Sequence, residues 1–217
     1  MLETGQCHSV PKGPPYSSIT NYRPISITSV LSKVLERLVS VRLVRFMERS
    51  GVLSTTQIAY RKVLGTCDAL LCLSHTLQSA LESVQEARLV QIDFSAAFDR
   101  VNHQGILYKL CSVGIGGSVL SILIQFLSDL SLHVMVDDCR SKLVNVVSGM
   151  PQFSVLGVLL FLLYTSELFS VLENKLFCYT DDPTLIAVVP SPGLRFAVAE
   201  SLSRDLGRLV SGVTFGG

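Results

Sequence analysis

Two short apolar segments, residues 175–179 and 184–189, flank Thr180-Asp181-Asp182-Pro183, and no other feature of the sequence narrows the fold as much. Segments of that length on either side of a polar turn read as an antiparallel hairpin. A third segment, Arg88-Leu89-Val90-Gln91-Ile92-Asp93-Phe94, reads as a buried strand that ends at a carboxylate. Three acids thus stand at the ends of otherwise apolar strands. Ionised side chains brought together repel one another unless a cation neutralises them. Hard oxygen donors at a strand edge suit Mg²⁺, which keeps several waters and takes only a few carboxylates.

Carboxylate pairs alone do not settle the chemistry, because Asp is a favoured turn residue for reasons unrelated to metals. The chain carries its own control. Asp137-Asp138 also sits in a hairpin turn, between residues 133–136 and 142–147, and spacing alone does not rank one pair above the other.

Around these strands the periodicity predicts helices. In residues 29–50, Val30, Leu31, Val34, Leu35, Leu38, Leu43 and Phe46 recur at helical spacing, with Thr28 or Ser29 as N-cap and Gly51 as terminator. The polar face of that helix carries Lys33, Arg37, Arg42, Arg45 and Arg49. Further helices are expected over residues 66–81, 103–111, 118–128, 155–171 and 194–210. The opening stretch to residue 18 is rich in Pro, Gly and Ser and reads as irregular. Strands interspersed with helices and joined partly by hairpins make this an α+β chain with an antiparallel sheet.

Composition bounds the rest. With 217 residues, 48% of them hydrophobic, there is ample material for a core. The richest apolar run, residues 155–164, is far short of the roughly 20 residues that cross a bilayer, and no signal peptide opens the chain. The expectation is a soluble intracellular protein without a membrane partner. No dense Lys/Arg run marks a nuclear signal, so nucleus and cytoplasm both stay open. Six scattered cysteines and four single histidines have neither the spacing of a zinc site nor the density of a disulfide scaffold. Charge is uneven. Residues 1–62 hold nine Lys/Arg against three Glu, and the remainder holds nine against fourteen acids. That pattern fits a basic lobe that can meet phosphates and an acidic lobe that can hold cations.

The order of five segments resembles the reverse transcriptases of non-LTR (LINE-like) retrotransposons, from about residue 12 to residue 205. They are Asn21-Tyr22-Arg23-Pro24-Ile25-Ser26, Gln57-Ile58-Ala59-Tyr60-Arg61, Asp93-Phe94-Ser95-Ala96-Ala97-Phe98-Asp99, Gly149-Met150-Pro151-Gln152 with Ser154-Val155-Leu156-Gly157, and Tyr179-Thr180-Asp181-Asp182. The resemblance implies the fingers and palm of a right-hand polymerase, with an antiparallel palm sheet packed on helices. Residues 1–20 would be an irregular lead, 21–90 mainly fingers with basic helices, and 91–217 mainly palm, in one reverse transcriptase domain.

It also implies RNA-directed DNA polymerase activity, adding deoxynucleoside triphosphates to a DNA primer 3′-hydroxyl on an RNA template, with two Mg²⁺. Asp93 and Asp181 would bind both metals, and Asp182 would complete the acidic triad. Phe98 would lie under the incoming sugar and exclude a 2′-hydroxyl, or serve as an ordinary core ring, or both. Arg23 and Lys12 would grip the triphosphate, Gln152 would line the nucleotide pocket, and Arg61 would contact template phosphates or water. Asp99 would tie the strand end to the following turn.

Several positions depart from the family pattern. Phe153 stands where the family has Gly, and a benzyl group in place of a residue that permits close approach is expected to intrude on the nucleotide or template path. Pro183 follows the Asp pair, fixing φ and removing an N–H, which is expected to displace the catalytic turn. Thr180 and Val158 are milder changes. The chain ends before the family's thumb, so the expectation is a truncated copy, with polymerisation weak or lost. The alternative is a non-catalytic module that binds RNA or an RNA–DNA hybrid.

Overall fold

Residues 182–189 are buried on one face and, apart from the buried Ile186, more open on the other, and the sheet of one half of the protein is built on that strand. A computed structural model describes residues 5–11, 13–18, 21–27, 29–54, 56–59, 61, 64–83, 85–94, 97–128, 130–136, 139–151, 154–167, 169, 171–179 and 182–214. The chain divides into two compact units, one made of residues 1–46 and 98–164, the other of 47–97 and 165–217.

The second unit holds a three-stranded antiparallel sheet in the order β3 (Glu86–Gln91), β8 (Asp182–Val189), β7 (Lys175–Tyr179). Leu176, Cys178, Leu185 and Ala187 share one face of it and pack with Phe169 and with Leu202 and Leu209 of α6 (Arg195–Thr214). Fully buried leucines such as Leu185 each contribute about 1.5–3 kcal/mol over an exposed state. Helix α2 (Thr66–Glu82) packs against β3 and β7, and Asp68 accepts the Gly65 N–H at 2.7 Å to fix its start.

A buried acid ties α6 to the approach of β7. Asp205 is fully buried and accepts from the N–H groups of Glu173 and Asn174, the Asn174 amide and the Arg208 guanidinium. Burial pushes its carboxyl up, but these donors more than offset that and hold it below its ordinary value.

In the first unit, β1 (Gly5–Pro11) pairs antiparallel with β2 (Tyr22–Ile27) and parallel with β4 (Ser131–Val136). Strand β4 also pairs with two short pieces, β5 (Cys139–Arg140) and β6 (Val144–Asn145). The return strand expected over residues 142–147 is therefore split. Met135 faces Arg140 while Ser131 faces Asn145, one extra residue lying between the two pairings, which is a bulge. Helices α1 (Val30–Arg49), α3 (His103–Ser112), α4 (Gly117–Ser128) and α5 (Val155–Thr165) complete the chain order. Leu156, Leu159, Leu160, Phe161, Leu162 and Leu163 of α5 are all buried, as a helix apolar on every side requires.

Three expectations need correction. Residues expected to be irregular form β1, because β2 and β4 on both sides satisfy its backbone, a tertiary effect that local composition does not carry. Helix α5 stops at Thr165 and not at residue 171, where Thr165-Ser166 interrupts the apolar run with hydroxyls that compete for backbone hydrogen bonds. In α1 the apolar residues at helical spacing are mostly outside: Leu31 is 82% exposed and Leu38 64%. The buried side of α1 is instead Ser32, Glu36, Val39, Ser40, Leu43 and Met47. Among the described residues no helix is long and apolar enough to cross a membrane.

Candidate active site

Strand register brings the backbone positions of two of the acids to one end of the sheet. Strand β3 pairs with β8 from Glu86↔Val189 to Gln91↔Thr184, and the Ile92 N–H continues the ladder to the Pro183 carbonyl at 3.0 Å. The next positions along the two chains are Asp93 and Asp182. Opposed residues of an antiparallel pair point to the same face, with Cβ atoms about 5 Å apart. Both acids are exposed, and the face they share is the one opposite the Leu176, Leu185 and Ala187 core. No hydrogen bond or ion pair among the described residues occupies either carboxylate. Two unneutralised acids at one sheet end repel unless a cation joins them, so the donor set fits a hard divalent ion. Asp181 lies outside the described residues, and among those described no group of three His, Cys, Asp or Glu side chains gathers.

Pro183 does not break the sheet. Cys178↔Pro183 and Tyr179↔Asp182 both pair, so the hairpin register runs through the proline. Its cost falls on the other side, where Ile92 donates and Pro183 has no N–H to return. On the outer edge of β7, Gln57 bridges Cys178, with the Ile58 N–H donating to the Cys178 carbonyl at 3.1 Å. This brings the segment that begins Gln57-Ile58-Ala59 to the hairpin strand. Gln57 is 2% exposed, and its amide nitrogen has no partner among the described residues. Arg61 is half-buried and donates to the Ser54 carbonyl at 3.4 Å.

The first unit holds the remaining candidates. Phe98 is half-buried, its ring stacked on Phe161 of α5 with centroids 4.5 Å apart and planes at 28°. Its carbonyl accepts the Met150 N–H at 2.8 Å, and the Gly149 N–H donates to Val101 at the same distance. The His103 ring Nε2 donates to the Gly149 carbonyl at 2.7 Å. Asp99 is exposed, and its carbonyl accepts from the Ser148 hydroxyl at 3.5 Å, so the turn after Phe98 is strapped to the Gly149 segment. Arg23 stands in β2 across from Val10, and only its backbone is described. Lys12, Gln152 and Phe153 lie outside the described residues, as do Asp137 and Asp138 of the competing pair. Sequence reasoning did not single out Glu36, an acid buried in α1. Its signal was available: a lone carboxylate on the side of a helix flanked by Ser32 and Ser40.

A small antiparallel sheet that presents acids at one end is suited to holding divalent cations for phosphate chemistry. Solved structures share the fold. An apo telomerase from Candida tropicalis, truncated from its C-terminal domain, matches with TM-score 0.64 and 12% identity over 95% of this chain and 46% of that one. A Candida albicans telomerase solved with a fragment of telomeric RNA matches with TM-score 0.57. This is the right-hand polymerase fold, α+β, with one antiparallel sheet and one mixed sheet.

The family model described as reverse transcriptase (RNA-dependent DNA polymerase) matches residues 10–201. A probable RNA-directed DNA polymerase from transposon X-element of Drosophila melanogaster is 33% identical over 156 residues, covering 72% of this chain and 17% of that protein. The RNA-directed DNA polymerase from mobile element jockey of Drosophila funebris is 32% identical, covering 69% and 16%. The chain spans about a sixth of the length of these relatives. It belongs to the reverse transcriptase family, in the non-LTR retrotransposon branch.

Proposed function

We propose that the chain is built for RNA-directed DNA synthesis: it adds a deoxynucleotide to a primer 3′-hydroxyl on an RNA template, and Phe153 holds its own rate low. The observation that carries this reading is the register that leads β3 and β8 to Asp93 and Asp182 on one exposed face. Asp93, Asp181 and Asp182 are the residues to hold Mg²⁺. When bound, two such ions activate the attacking oxygen and stabilise the leaving one.

The chain's other residues supply recognition. Arg23 and Lys12 bind the triphosphate, Arg23 with a planar, permanently charged fork. The Phe98 ring, backed by Phe161, rejects a ribose 2′-hydroxyl by steric clash. Gln152 lines the nucleotide pocket, and Arg61 contacts the template.

Primer extension on an RNA template with Mg²⁺ tests the reading, comparing the parent, Phe153→Gly, and Phe153→Gly combined with Asp181→Asn. Relief of a misplaced nucleotide is expected to raise extension by Phe153→Gly at least about tenfold over the parent. Loss of a metal ligand should then lower it by on the order of a hundredfold. Equal extension by the parent and Phe153→Gly would remove the proposed block, and extension that survives Asp181→Asn would remove the metal assignment.

A second reading, binding without chemistry, is favoured by the exposed Lys33, Arg37, Arg42, Arg45 and Arg49 of α1. Filter binding to RNA across a salt series separates the two: salt-sensitive retention with no extension by any variant supports it.

A further inference from the structure

Glu36 is 3% exposed, on the inward side of α1. A buried carboxylate is costly unless hydrogen bonds replace its water. Here they come from the start of α5. Glu36 Oε2 accepts the Ser154 hydroxyl at 2.6 Å and the Leu156 N–H at 3.3 Å, from residues 118 and 120 positions later in the chain. The Ser154 hydroxyl oxygen itself accepts the Gly157 N–H at 2.9 Å, which makes Ser154 the N-cap of α5. The acid thus satisfies an otherwise open first-turn donor and sets negative charge at the positive end of the helix.

A separate bond ties the start of α5 to what precedes it: the Ser154 N–H donates to the Pro151 carbonyl at 3.2 Å. On the near flank, Gly149 and Met150 are bonded to the backbone of Val101 and Phe98. On the far flank there is no slack, since a Cβ on Gly157 would meet the Met150 Cβ at 3.2 Å and the Pro151 carbonyl oxygen at 3.3 Å.

We infer that Glu36 is a positioning residue for the nucleotide side of this polymerase: it clamps the start of α5, the helix that sets Phe161 against Phe98. The clamp stands on the hydrogen bonds alone, whereas its consequence for nucleotide use rests on the proposed function. Glutamine at this position keeps one acceptor oxygen and preserves the clamp. Alanine abolishes it.

Two measurements on the full chain decide the matter, with Glu36→Gln, Glu36→Ala and Ser154→Ala beside the parent. The first is amide hydrogen exchange at single residues. In Glu36→Ala the Leu156 amide is expected to exchange at least about tenfold faster while Leu185 and Leu206 keep their rates, and Glu36→Gln stays within about threefold of the parent. No change at Leu156, or an equal rise at all three amides, overturns the clamp. Should Glu36→Ala fail to fold, Ser154→Ala keeps the acid and is read at Gly157, whose amide is then the one to speed up.

The second measurement is steady-state extension in the Phe153→Gly background. Glu36→Ala should raise KM for the deoxynucleotide about fivefold or more with kcat within about twofold, and Glu36→Gln should restore it. A fall in kcat at unchanged KM overturns the positioning role. If no Phe153→Gly chain extends a primer, the polymerase reading fails, while exchange at Leu156 still decides the clamp.

Discussion

Gly149→Ala is expected to destabilise the first unit by about 3 kcal/mol or more, a large share of the roughly 5–15 kcal/mol that holds a domain folded. Two costs add. Gly149 has φ of +86°, where an L side chain is strained, and its ideal Cβ would lie 2.7 Å from the Asp99 carbonyl oxygen and 2.9 Å from the Asp99 Cα. Both obstacles are backbone. The same backbone is held by the Gly149 N–H to Val101 and by His103 on the Gly149 carbonyl, so relief requires breaking the strap itself. Gly114 isolates the first cost, because it has φ of +89° and nothing within 4 Å of its would-be Cβ. Urea unfolding of the two alanine variants should therefore differ by about 2 kcal/mol, Gly149→Ala being the worse. Equal losses would mean that the contact with Asp99 does not constrain the turn.

Asp205→Ala is expected to cost about 3 kcal/mol, because it removes a buried acceptor from the N–H groups of Glu173 and Asn174 and from the Arg208 guanidinium. Surface pairs nearby contribute far less. The bonds from Arg204 and Arg208 to Glu173 are solvent-exposed, and loss of Glu173 alone should be nearly silent. The Asp205 effect carries a pH signature. Its folded pKa lies below its unfolded value, so the acid stabilises the fold fully above the unfolded value of about 3.9 and loses that contribution as the pH falls through the folded one. Thermal melts of parent and Asp205→Ala should differ by on the order of 10 °C at neutral pH, and the gap should narrow as the pH falls from about 3.9 through the lower folded value. A gap that is as wide at pH 3 as at pH 7 would show that packing, and not the ionised acid, holds α6 in place.

Much of the secondary structure was legible because period and turn chemistry agree in those segments. The hairpin of β7 and β8 follows from apolar segments on either side of an Asp pair, and α2, α3 and α4 each end within one residue of their periodic limits. Spacing alone left Asp93 and Asp182 as two acids 89 positions apart in the chain. Alternation identifies each strand, but not which strand it pairs with; the pairing of Leu89 with Ile186 is what turns separate acids into neighbours.

What stayed hidden was non-local. Strand β1 has no pattern of its own, and it is a strand because β2 and β4 lie on both sides of it. The inward side of α1 could not be read from hydrophobicity because its first half is mostly polar, Ser32, Glu36 and Ser40 beside Val39, and the partner of Glu36 is the cap of a helix far along the chain. In α1 Val30, Leu31, Val34, Leu35 and Leu38 marked the wrong side, and Glu36 marked the right one.

The parallel pairing of β1 with β4 has a consequence for how the protein is made. Gly5 faces Leu132 and Cys7 faces Val134, so β1 has no parallel neighbour until the chain has grown the 127 positions from Gly5 to Leu132. Contacts so distant in sequence close slowly, and the waiting edge is open to foreign strands meanwhile. The ribbon of β1 and β2 thus waits with one edge open while the residues between it and β4 are made.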